Sequence, residues 1–293
     1  MSTGNTAGTT RWEQVAIVGV GLIGGSIGLA LRRAGVARRI IGVGRSAANL
    51  QRAIACRAID QLVLESAGEL PEVDLVIVCT PVDHVAKHVA WWASSAADGA
   101  LVTDAGSTKA RIVSDVDAQL HGHNPRQARF IGSHPLAGSE KTGVEHAREN
   151  LFDGRVVVIT PTDHTPPSAV EEVQEFWKSL GAGVIPMTPA AHDEAVAATS
   201  HLPHVVASAL AAVTPPELLK LAAGGWLDTT RIAAGDVSLW QQILLENREP
   251  VLTALAKIEH ELHSWRRALE QRDATALESL LQQGKTIRDA VGN

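Results

Sequence analysis

Short runs of valine and isoleucine recur along residues 14–187 and then stop. Stretches of helical composition separate several of these runs, among them 22–34, 83–93 and 108–120. The runs are QVAIV (14–18), RIIGVG (39–44), DLVIVCT (74–80), ALVTDAG (100–106), RFIG (129–132), RVVVIT (155–160) and GVIPM (183–187). Near-continuous apolar strands that alternate with helices are typical of a parallel sheet covered on both faces. The pattern therefore predicts an α/β fold with a doubly wound, mostly parallel sheet.

Residues 190–293 have the composition of helices, being rich in Ala, Leu, Glu, Arg and Gln. A seam of apolar residues three or four positions apart lies along one predicted helix: Leu255, Ile258, Leu262, Trp265 and Leu269. Such a seam needs another helix against it. The sequence therefore predicts that an all-α half follows the sheet, and that this half forms a homodimer.

A glycine-rich turn connects the first predicted strand to an apolar helix. Residues 19–24, GVGLIG, have the spacing GxGxxG in its full strand–turn–helix context. The glycines permit a tight turn and let backbone N–H groups and the helix N-terminus approach a pyrophosphate. This predicts a Rossmann-type dinucleotide site, and the expected cofactor contacts are Gly19, Gly21, Leu22, Ile23 and Gly24.

The residues after the second predicted strand bear on the choice between NAD and NADP. An NAD site usually offers an acidic residue about 20 positions past the last glycine, where it holds the ribose 2′-hydroxyl. Here Gly44, Arg45 and Ser46 occupy that place. Because no carboxylate is there to repel a 2′-phosphate, and Arg45 can pair with one, we expect NADP to be favoured and NAD to remain usable. The alternative interpretation of Arg45 is an exposed surface residue.

Polar residues also follow the next two predicted strands. In open parallel sheets ligands bind at the carboxyl edge, so we expect Thr80, Pro81 and Asp104 to line the cofactor site. Ser107, just beyond, faces the nicotinamide side of the cleft or caps the following helix.

The segment 130–143, FIGSHPLAGSEKTG, is the most polar stretch beside a predicted strand. Phe130 and Ile131 are interpreted as the end of the strand, and the rest as a loop at its carboxyl tip. Because ligands bind at that edge, His134 is the first candidate for chemistry. A polar turn with a hydrogen-bonded histidine is the alternative.

The helical half contains polar residues that packing does not require. In TSHLPH (199–204), Ser200 and His204 share a face if the segment is α-helical. His201 and His204 have no convincing third ligand nearby, so no metal is expected. Arg231 binds a carboxylate bidentately or caps a helix. Trp240 is more often a core residue than a ligand contact.

Bulk composition excludes several classes of protein. The net charge of −6, the pI near 6.0 and the absence of a Lys/Arg run argue against a nucleic-acid-binding surface. Residues 1–10 lack the apolar core of a signal peptide. The longest apolar run, about 195–213, is interrupted by His201, Pro203 and His204, so no membrane span is expected. We expect a cytoplasmic protein that acts on a small-molecule substrate.

These features divide the chain into three parts. A disordered tail (1–13) precedes a dinucleotide-binding domain (14–188). A helical domain for substrate binding and dimerisation (189–293) follows.

Taken in order, the motifs resemble those of one enzyme family. They are GxGLIGGS (19–26), DAGSTK (104–109), GSHPLAGSEKTG (132–143), TSHLPH (199–204) and TRIAxGD (230–236). Together they resemble the prephenate/arogenate dehydrogenases of tyrosine biosynthesis over about residues 14–270. The resemblance implies NAD(P)-dependent oxidative decarboxylation of prephenate to 4-hydroxyphenylpyruvate, or of arogenate to tyrosine.

The resemblance also implies roles for residues. His134 would be the catalytic histidine that hydrogen-bonds the ring 4-hydroxyl of the substrate. Ser107 would lie between that hydroxyl and the nicotinamide, and Arg231 would bind a substrate carboxylate.

Other matched positions would complete the substrate pocket. Ser200 and His204 would line it, and Glu140 would belong to an ionic network that gates it. Gly224 and Trp240 would reach in from the second subunit of a dimer.

Two other functions remain open on the sequence alone. A β-hydroxyacid dehydrogenase has a similar two-part plan, but it normally uses a lysine of its helical domain as acid and base, and none stands beside residues 199–204. A non-catalytic NADP-binding dimeric sensor would bind the cofactor without turnover.

Overall fold

The structure is a computed structural model that describes residues 10–67, 70–121, 123–139 and 141–292. Its centre is an eight-stranded sheet with the strand order β3-β2-β1-β4-β5-β6-β7-β8. The strands are β1 (Trp12–Val18), β2 (Ala37–Gly44), β3 (Gln61–Leu64), β4 (Leu75–Val78), β5 (Leu101–Asp104), β6 (Arg129–Pro135), β7 (Val156–Thr160) and β8 (Gly183–Pro186). All neighbours are parallel except β6 and β7. The prediction of a doubly wound, mostly parallel sheet is confirmed.

Helices cover both faces of the sheet. They are α1 (Leu22–Ala34), α2 (Ala47–Ala55), α3 (Val82–Ala93), α4 (Ala110–Leu120) and α5 (Pro167–Ser179). Side chains alternate between the two faces along β1: Val15 and Ile17 pack into one apolar cluster, and Ala16 and Val18 into the other. Each large apolar side chain buried in this way stabilises the fold by about 1.5–3 kcal/mol. Because both faces of the sheet are buried, the strands appear in the sequence as unbroken apolar runs.

Helices make up the rest of the chain. They are α6 (Pro189–Val196), α7 (Leu202–Val213), α8 (Gly224–Thr230), α9 (Val237–Glu246), α10 (Arg248–Gln271) and α11 (Ala274–Ala290). A π-helical turn, Ala197–His201, joins α6 to α7. The predicted all-α half is therefore confirmed.

The first and third strands differ from the prediction. β1 begins at Trp12, inside the segment predicted as a tail, because Trp12 is buried and packs edge-on against Phe176 with 5.7 Å between ring centroids. Residues 1–9 of that tail lie outside the described residues. The strand Gln61–Leu64 was not predicted, since this short edge strand is only half-buried and lacks a long apolar run.

The helical half buries little apolar surface of its own. Its buried cluster contains Ala197, Val251 and Ala254. Two leucines of the predicted seam, Leu262 and Leu269, remain about 60% exposed on α10. The seam is therefore only partly covered within the single chain.

One helical stretch, Pro189–Val213, is long and apolar enough to cross a membrane by length and composition alone. His192 and Asp193 within it are buried and hydrogen-bond to the α/β half. The stretch is therefore part of the packed structure.

Candidate active site

The glycine-rich turn after β1 has the geometry of a nucleotide cradle. Gly19 has φ +88°, and a Cβ there would lie 2.8 Å from the carbonyl oxygen of Cys79. A Cβ on Gly24 would lie 2.3 Å from the carbonyl oxygen of Gly19. α1 begins at Leu22, and Gly21 before it has no side chain to cap the helix. The turn therefore presents the N-terminus of α1 at the carboxyl edge of the sheet, as a pyrophosphate requires.

Other residues predicted to contact the cofactor follow β2 and β4 at the same edge of the sheet. Arg45 is exposed just after β2, and Ser46 caps α2 by accepting a hydrogen bond of 3.3 Å from the N–H of Asn49. Thr80 follows β4, and its hydroxyl hydrogen-bonds to Nδ1 of His88 at 3.1 Å. Pro81 precedes the first residue of α3. Part of the predicted contact set is thus already used by helix caps and by His88.

Asp104 differs from its predicted role. Its side chain is fully buried and pairs with the ammonium group of Lys109. It also accepts hydrogen bonds from the backbone N–H groups of Ser133 at 3.0 Å and Gly106 at 2.8 Å. The prediction that it lines the cofactor is therefore wrong for its side chain, because an unpaired carboxylate this deep would be costly and the protein supplies its partners. Asp104 instead holds the loop that carries Ser107, which is half-buried.

His134 lies within β6 rather than on a loop beyond it. The strand continues to Pro135 because its last residues pair with antiparallel β7, where His134 faces Val158. The prediction of a loop from residue 132 is therefore wrong. β5 pairs with β6 only as far as Ile131, so His134 still projects past the end of β5 at the carboxyl edge. Its side chain is half-buried.

A chain of three side chains connects His134 to the helical half. Nδ1 of His134 lies 2.8 Å from Nε2 of His192, and Nδ1 of His192 lies 2.7 Å from Oδ1 of Asp193. His192 is fully buried and Asp193 nearly so. Burial, and to a smaller extent the neighbouring basic groups His192, Lys109 and His201, hold the pKa of His134 well below its ordinary value. His134 is therefore neutral, and so able to accept a proton, at physiological pH.

Asp193 accepts hydrogen bonds from several parts of the chain. Its carboxylate accepts hydrogen bonds from the backbone N–H groups of Lys109 at 2.8 Å and Ala110 at 2.9 Å, at the start of α4. Burial opposes its ionisation, but the hydrogen bonds from His192 and from these two amides outweigh burial and lower the pKa of the carboxyl. The amide of Asn247 donates to the backbone carbonyl of Asp193 at 2.8 Å.

His192 and Asp193 were not predicted as site residues. They stand in the ordinary helical sequence AAHDEA (190–195), and their partners lie far away in the chain. The one available signal was an adjacent histidine and aspartate at the start of the longest apolar stretch, since buried polar groups need partners.

The segment 199–204 contains the end of the π-helical turn and the start of α7. Ser200 is exposed, whereas His204 is buried. Pro203 has no N–H to continue the α-helical ladder, and the wider π turn just before it rotates the chain. Ser200 and His204, four positions apart, therefore differ in exposure, and their shared face stays a prediction. His201 instead turns inward, where Nδ1 lies 3.0 Å from the amide nitrogen of Asn247, and burial lowers its pKa to about 4.

Trp240 lies against His204 of its own chain. The two rings stack with 3.6 Å between centroids and 12° between planes. Within the described part of the chain, Nδ1 of the buried His204 has no hydrogen-bond partner. Trp240 therefore packs on the substrate-side residue His204 within one chain. A partnerless ring nitrogen beside a tryptophan is suited to a polar ligand group.

For the remaining predicted site residues, the structure shows only their position in the fold and their exposure. Arg231 is exposed at the start of a short 3₁₀ turn, Arg231–Ala234, that packs on α7. Gly224 is exposed at the first position of α8, and Glu140 lies outside the described residues. Among the described residues, no group of three His, Cys, Asp or Glu side chains could hold a metal ion.

Comparison with known protein families covers both halves of the chain. Residues 27–186 match the family model described as the nucleotide-binding domain of prephenate dehydrogenase, and residues 188–283 match its dimerization domain. The chain belongs to the prephenate dehydrogenase family.

Individual members of the prephenate dehydrogenase family match over nearly the whole chain. The prephenate dehydrogenase of Bacillus subtilis is 34% identical over 286 residues, which are 95% of this chain and 76% of that protein. The crystal structure of the Aquifex aeolicus enzyme, in complex with hydroxyphenyl propionate and NAD+, matches with a TM-score of 0.87 and 33% identity, over 95% of this chain and 98% of that one. The Synechocystis arogenate dehydrogenase matches with a TM-score of 0.78 and 29% identity, over 95% and 99%. Relatives thus include enzymes named for either substrate.

Proposed function

We propose that this protein catalyses the NAD(P)-dependent oxidative decarboxylation of prephenate, or of its amino counterpart arogenate, in tyrosine biosynthesis. The observation that carries the proposal is a neutral His134 at the carboxyl edge of a dinucleotide-binding sheet, in a member of the prephenate dehydrogenase family. Membership in that family also argues against a β-hydroxyacid dehydrogenase.

The chemistry needs a proton acceptor beside the ring hydroxyl. A bound nicotinamide supplies the hydride acceptor. As the hydride leaves C4 of the cyclohexadiene ring, His134 takes the proton of the 4-hydroxyl and the C4 carbonyl forms. That carbonyl is conjugated through the ring to the carbon that bears the carboxylate, so carbon dioxide departs and the ring becomes aromatic. In this proposal Ser107, on the loop after β5, lies between the hydroxyl and the nicotinamide.

The turn at 19–24 holds the pyrophosphate in this proposal. Gly19 and Gly24 provide the close backbone approach, and Gly21, Leu22 and Ile23 provide the start of α1.

NADP is the favoured cofactor and NAD remains usable. Arg45 is exposed at the end of β2, where it is free to meet a 2′-phosphate, and Ser46 follows it. Thr80 and Pro81 line the other side of the adenosine end.

The substrate side lies in the helical half. Arg231 binds a carboxylate, since a dianionic substrate approaching a chain of net charge −6 needs a local cation. His204 and Trp240 form one wall and Ser200 a second contact. In this proposal Glu140 belongs to an ionic network that gates the substrate pocket. Gly224 reaches into the pocket from the partner subunit.

We also propose a homodimer that acts in the cytoplasm. The exposed leucines of α10 and the match to a dimerization domain support this assembly. The proposed domains are 14–188, extended to Trp12, and 189–293, because β8 ends at Pro186 and α6 begins at Pro189.

One steady-state experiment tests the function. Purified protein is assayed with prephenate and with arogenate, each with NAD+ and with NADP+, and both the reduced cofactor and the aromatic product are measured. Stoichiometric formation of the two in at least one combination supports the proposal. Cofactor binding without turnover in all four combinations would favour the non-catalytic sensor instead.

A further inference from the structure

The strongest feature that the reaction itself does not explain is the pair of buried residues behind His134. His192 is fully buried between two polar groups, Nδ1 of His134 and Oδ1 of Asp193. The apolar side chains usual at such a position would stabilise the core at lower cost, because burial of polar groups is unfavourable unless every group is paired. Both carboxylate oxygens of Asp193 also accept hydrogen bonds, from the backbone N–H groups of Lys109 and Ala110 and from His192.

The direction of the hydrogen bonds follows from Asp193. An ionised carboxylate only accepts hydrogen bonds, and both oxygens of Asp193 face N–H donors. Nδ1 of His192 must therefore carry a proton and donate it to Oδ1. With that proton on Nδ1, the lone pair of Nε2 of His192 is the acceptor, and Nδ1–H of His134 donates the bond between the two histidines.

We propose that His192 and Asp193 are positioning residues that fix His134 in the tautomer protonated on Nδ1, leaving the lone pair of Nε2 as the proton acceptor. Nδ1 points at the buried His192 while the ring as a whole is half-exposed, so the edge that carries Nε2 is the one open to the cleft. This inference rests on the proposed function of His134 as the base. It adds which nitrogen acts and what selects it.

The proposal also explains how the charge formed in the reaction is held. When Nε2 of His134 takes the hydroxyl proton, the imidazolium keeps its Nδ1–H bond to His192, and Asp193 lies at the far end of the same chain. No net proton has to move through the chain. Among the described residues, Lys109 at the start of α4 and His201 in the π-helical turn also act on the pKa of His134, and Lys109 is paired with Asp104.

The tautomer is measured directly, without substrate, by NMR of the protein labelled with ¹⁵N-histidine. Long-range ¹H–¹⁵N spectra distinguish a protonated ring nitrogen from one with a free lone pair, and His134→Asn identifies the signals of His134 among the 12 histidines. We expect Nδ1 of His134 to be protonated and Nε2 to be free at neutral pH. A proton on Nε2, which would arise if a cationic His192 donated to His134, overturns the proposal.

Variants of His192 provide the kinetic arm, with a matched pair at one buried position. The amide of glutamine in His192→Gln can accept from His134 and donate to Asp193, whereas leucine in His192→Leu fills a similar volume and does neither. We expect kcat to fall by about 10²–10⁴-fold in His192→Leu, by clearly less in His192→Gln, and substrate KM to change little in either. Equal losses in the two variants, or a loss confined to KM, would show that His192 only fills space.

Asp193→Ala removes the oxygen that accepts from Nδ1 of His192. We expect the ring proton of His134 to become distributed over Nδ1 and Nε2 in the NMR spectrum, and kcat to fall. An unchanged tautomer in this variant contradicts the role of Asp193. Failure of the proposed function is distinct, because a wild-type protein without turnover would still report its tautomer by NMR.

Discussion

The carboxylate of Asp193, on α6, accepts a hydrogen bond of 2.8 Å from the backbone N–H of Lys109 at the start of α4. This contact crosses from the helical half to the α/β half. Lys109 follows the loop that carries Ser107, and Asp193 also anchors His192 behind His134. One carboxylate thus fixes the relative positions of the two predicted catalytic residues.

Removal of this carboxylate should destabilise the fold at neutral pH. In Asp193→Ala the amides of Lys109 and Ala110 lose their acceptor, and a lost helix cap together with a buried unpaired donor costs about 2–4 kcal/mol. We expect the free energy of unfolding in denaturant to fall by that amount at pH 7. A loss of only a few tenths of a kcal/mol, about the size expected for an ordinary surface substitution, would contradict the capping role.

The same loss should disappear in acid. The fold lowers the pKa of Asp193, so its contribution is complete above the ordinary carboxyl pKa of about 4 and is lost as the pH falls through the lower pKa of the folded state. The unfolding free energies of wild type and Asp193→Ala should therefore converge as the pH is lowered. A gap that stays constant with pH would mean that the charge of Asp193 does not contribute.

The neutral form of His134 should be the active one. Since its pKa lies well below the ordinary histidine value, we expect kcat to be flat near neutral pH and to fall only in acid, as the imidazole gains a proton. His134→Asn should reduce kcat by about 10²–10⁴-fold, the usual contribution of general-base catalysis, and change KM much less. If this variant keeps more than about a third of the wild-type kcat, well short of that loss, the base must be sought elsewhere, with His204 next.

Arg231 should show the opposite pattern. In Arg231→Ala a charge-assisted hydrogen bond to the substrate carboxylate is lost, which is about 1.5–3 kcal/mol, or roughly 10–150-fold in KM. We expect kcat to change far less. Arg231→Lys is the matched control, since it keeps the charge but not the bidentate guanidinium. Its KM should therefore lie between those of wild type and Arg231→Ala. A KM of the alanine variant equal to that of wild type would remove Arg231 from the site.

How much the sequence predicts depends on whether the signal is local. The Val/Ile runs predict the buried strands because both faces of the sheet are covered. The spacing of Gly19 and Gly24 predicts the turn because a Cβ at either position would lie within 3 Å of a backbone carbonyl oxygen. The half-exposed edge strand Gln61–Leu64 has no such signal. The extension of β6 through His134 depends on pairing with β7, which is a tertiary contact that no local pattern shows.

The site follows the same rule. Motif positions identify His134, but the residues that orient it are selected by long-range contacts. His192 reaches His134 across 58 positions of the sequence, and Asp193 reaches Lys109 across 84. Asp104 illustrates the converse, because its place at a strand end predicts ligand contact while its burial with Lys109 makes it structural.

Arg45 should decide between the two cofactors. Its loss in Arg45→Ala should lower kcat/KM with NADP by about tenfold or more, equivalent to about 1.4 kcal/mol, and leave that with NAD nearly unchanged. Arg39→Ala is the control, since Arg39 is exposed near the amino end of the same strand, away from the carboxyl edge. A wild-type preference for NAD of tenfold or more would contradict the NADP proposal.

The exposed seam of α10 should hold two subunits together. Leu262 and Leu269 are 59% and 61% exposed in the single chain, although a buried leucine stabilises by about 1.5–3 kcal/mol. We expect light scattering to find a dimer, and the double substitution Leu262→Glu with Leu269→Glu to shift it toward the monomer, because four carboxylates would then meet at a two-fold interface. Ile54→Glu is the matched control, since Ile54 is an exposed apolar residue on α2 of the other half. An active wild-type monomer at assay concentration, or equal dissociation by the control, would show that the seam is not the interface.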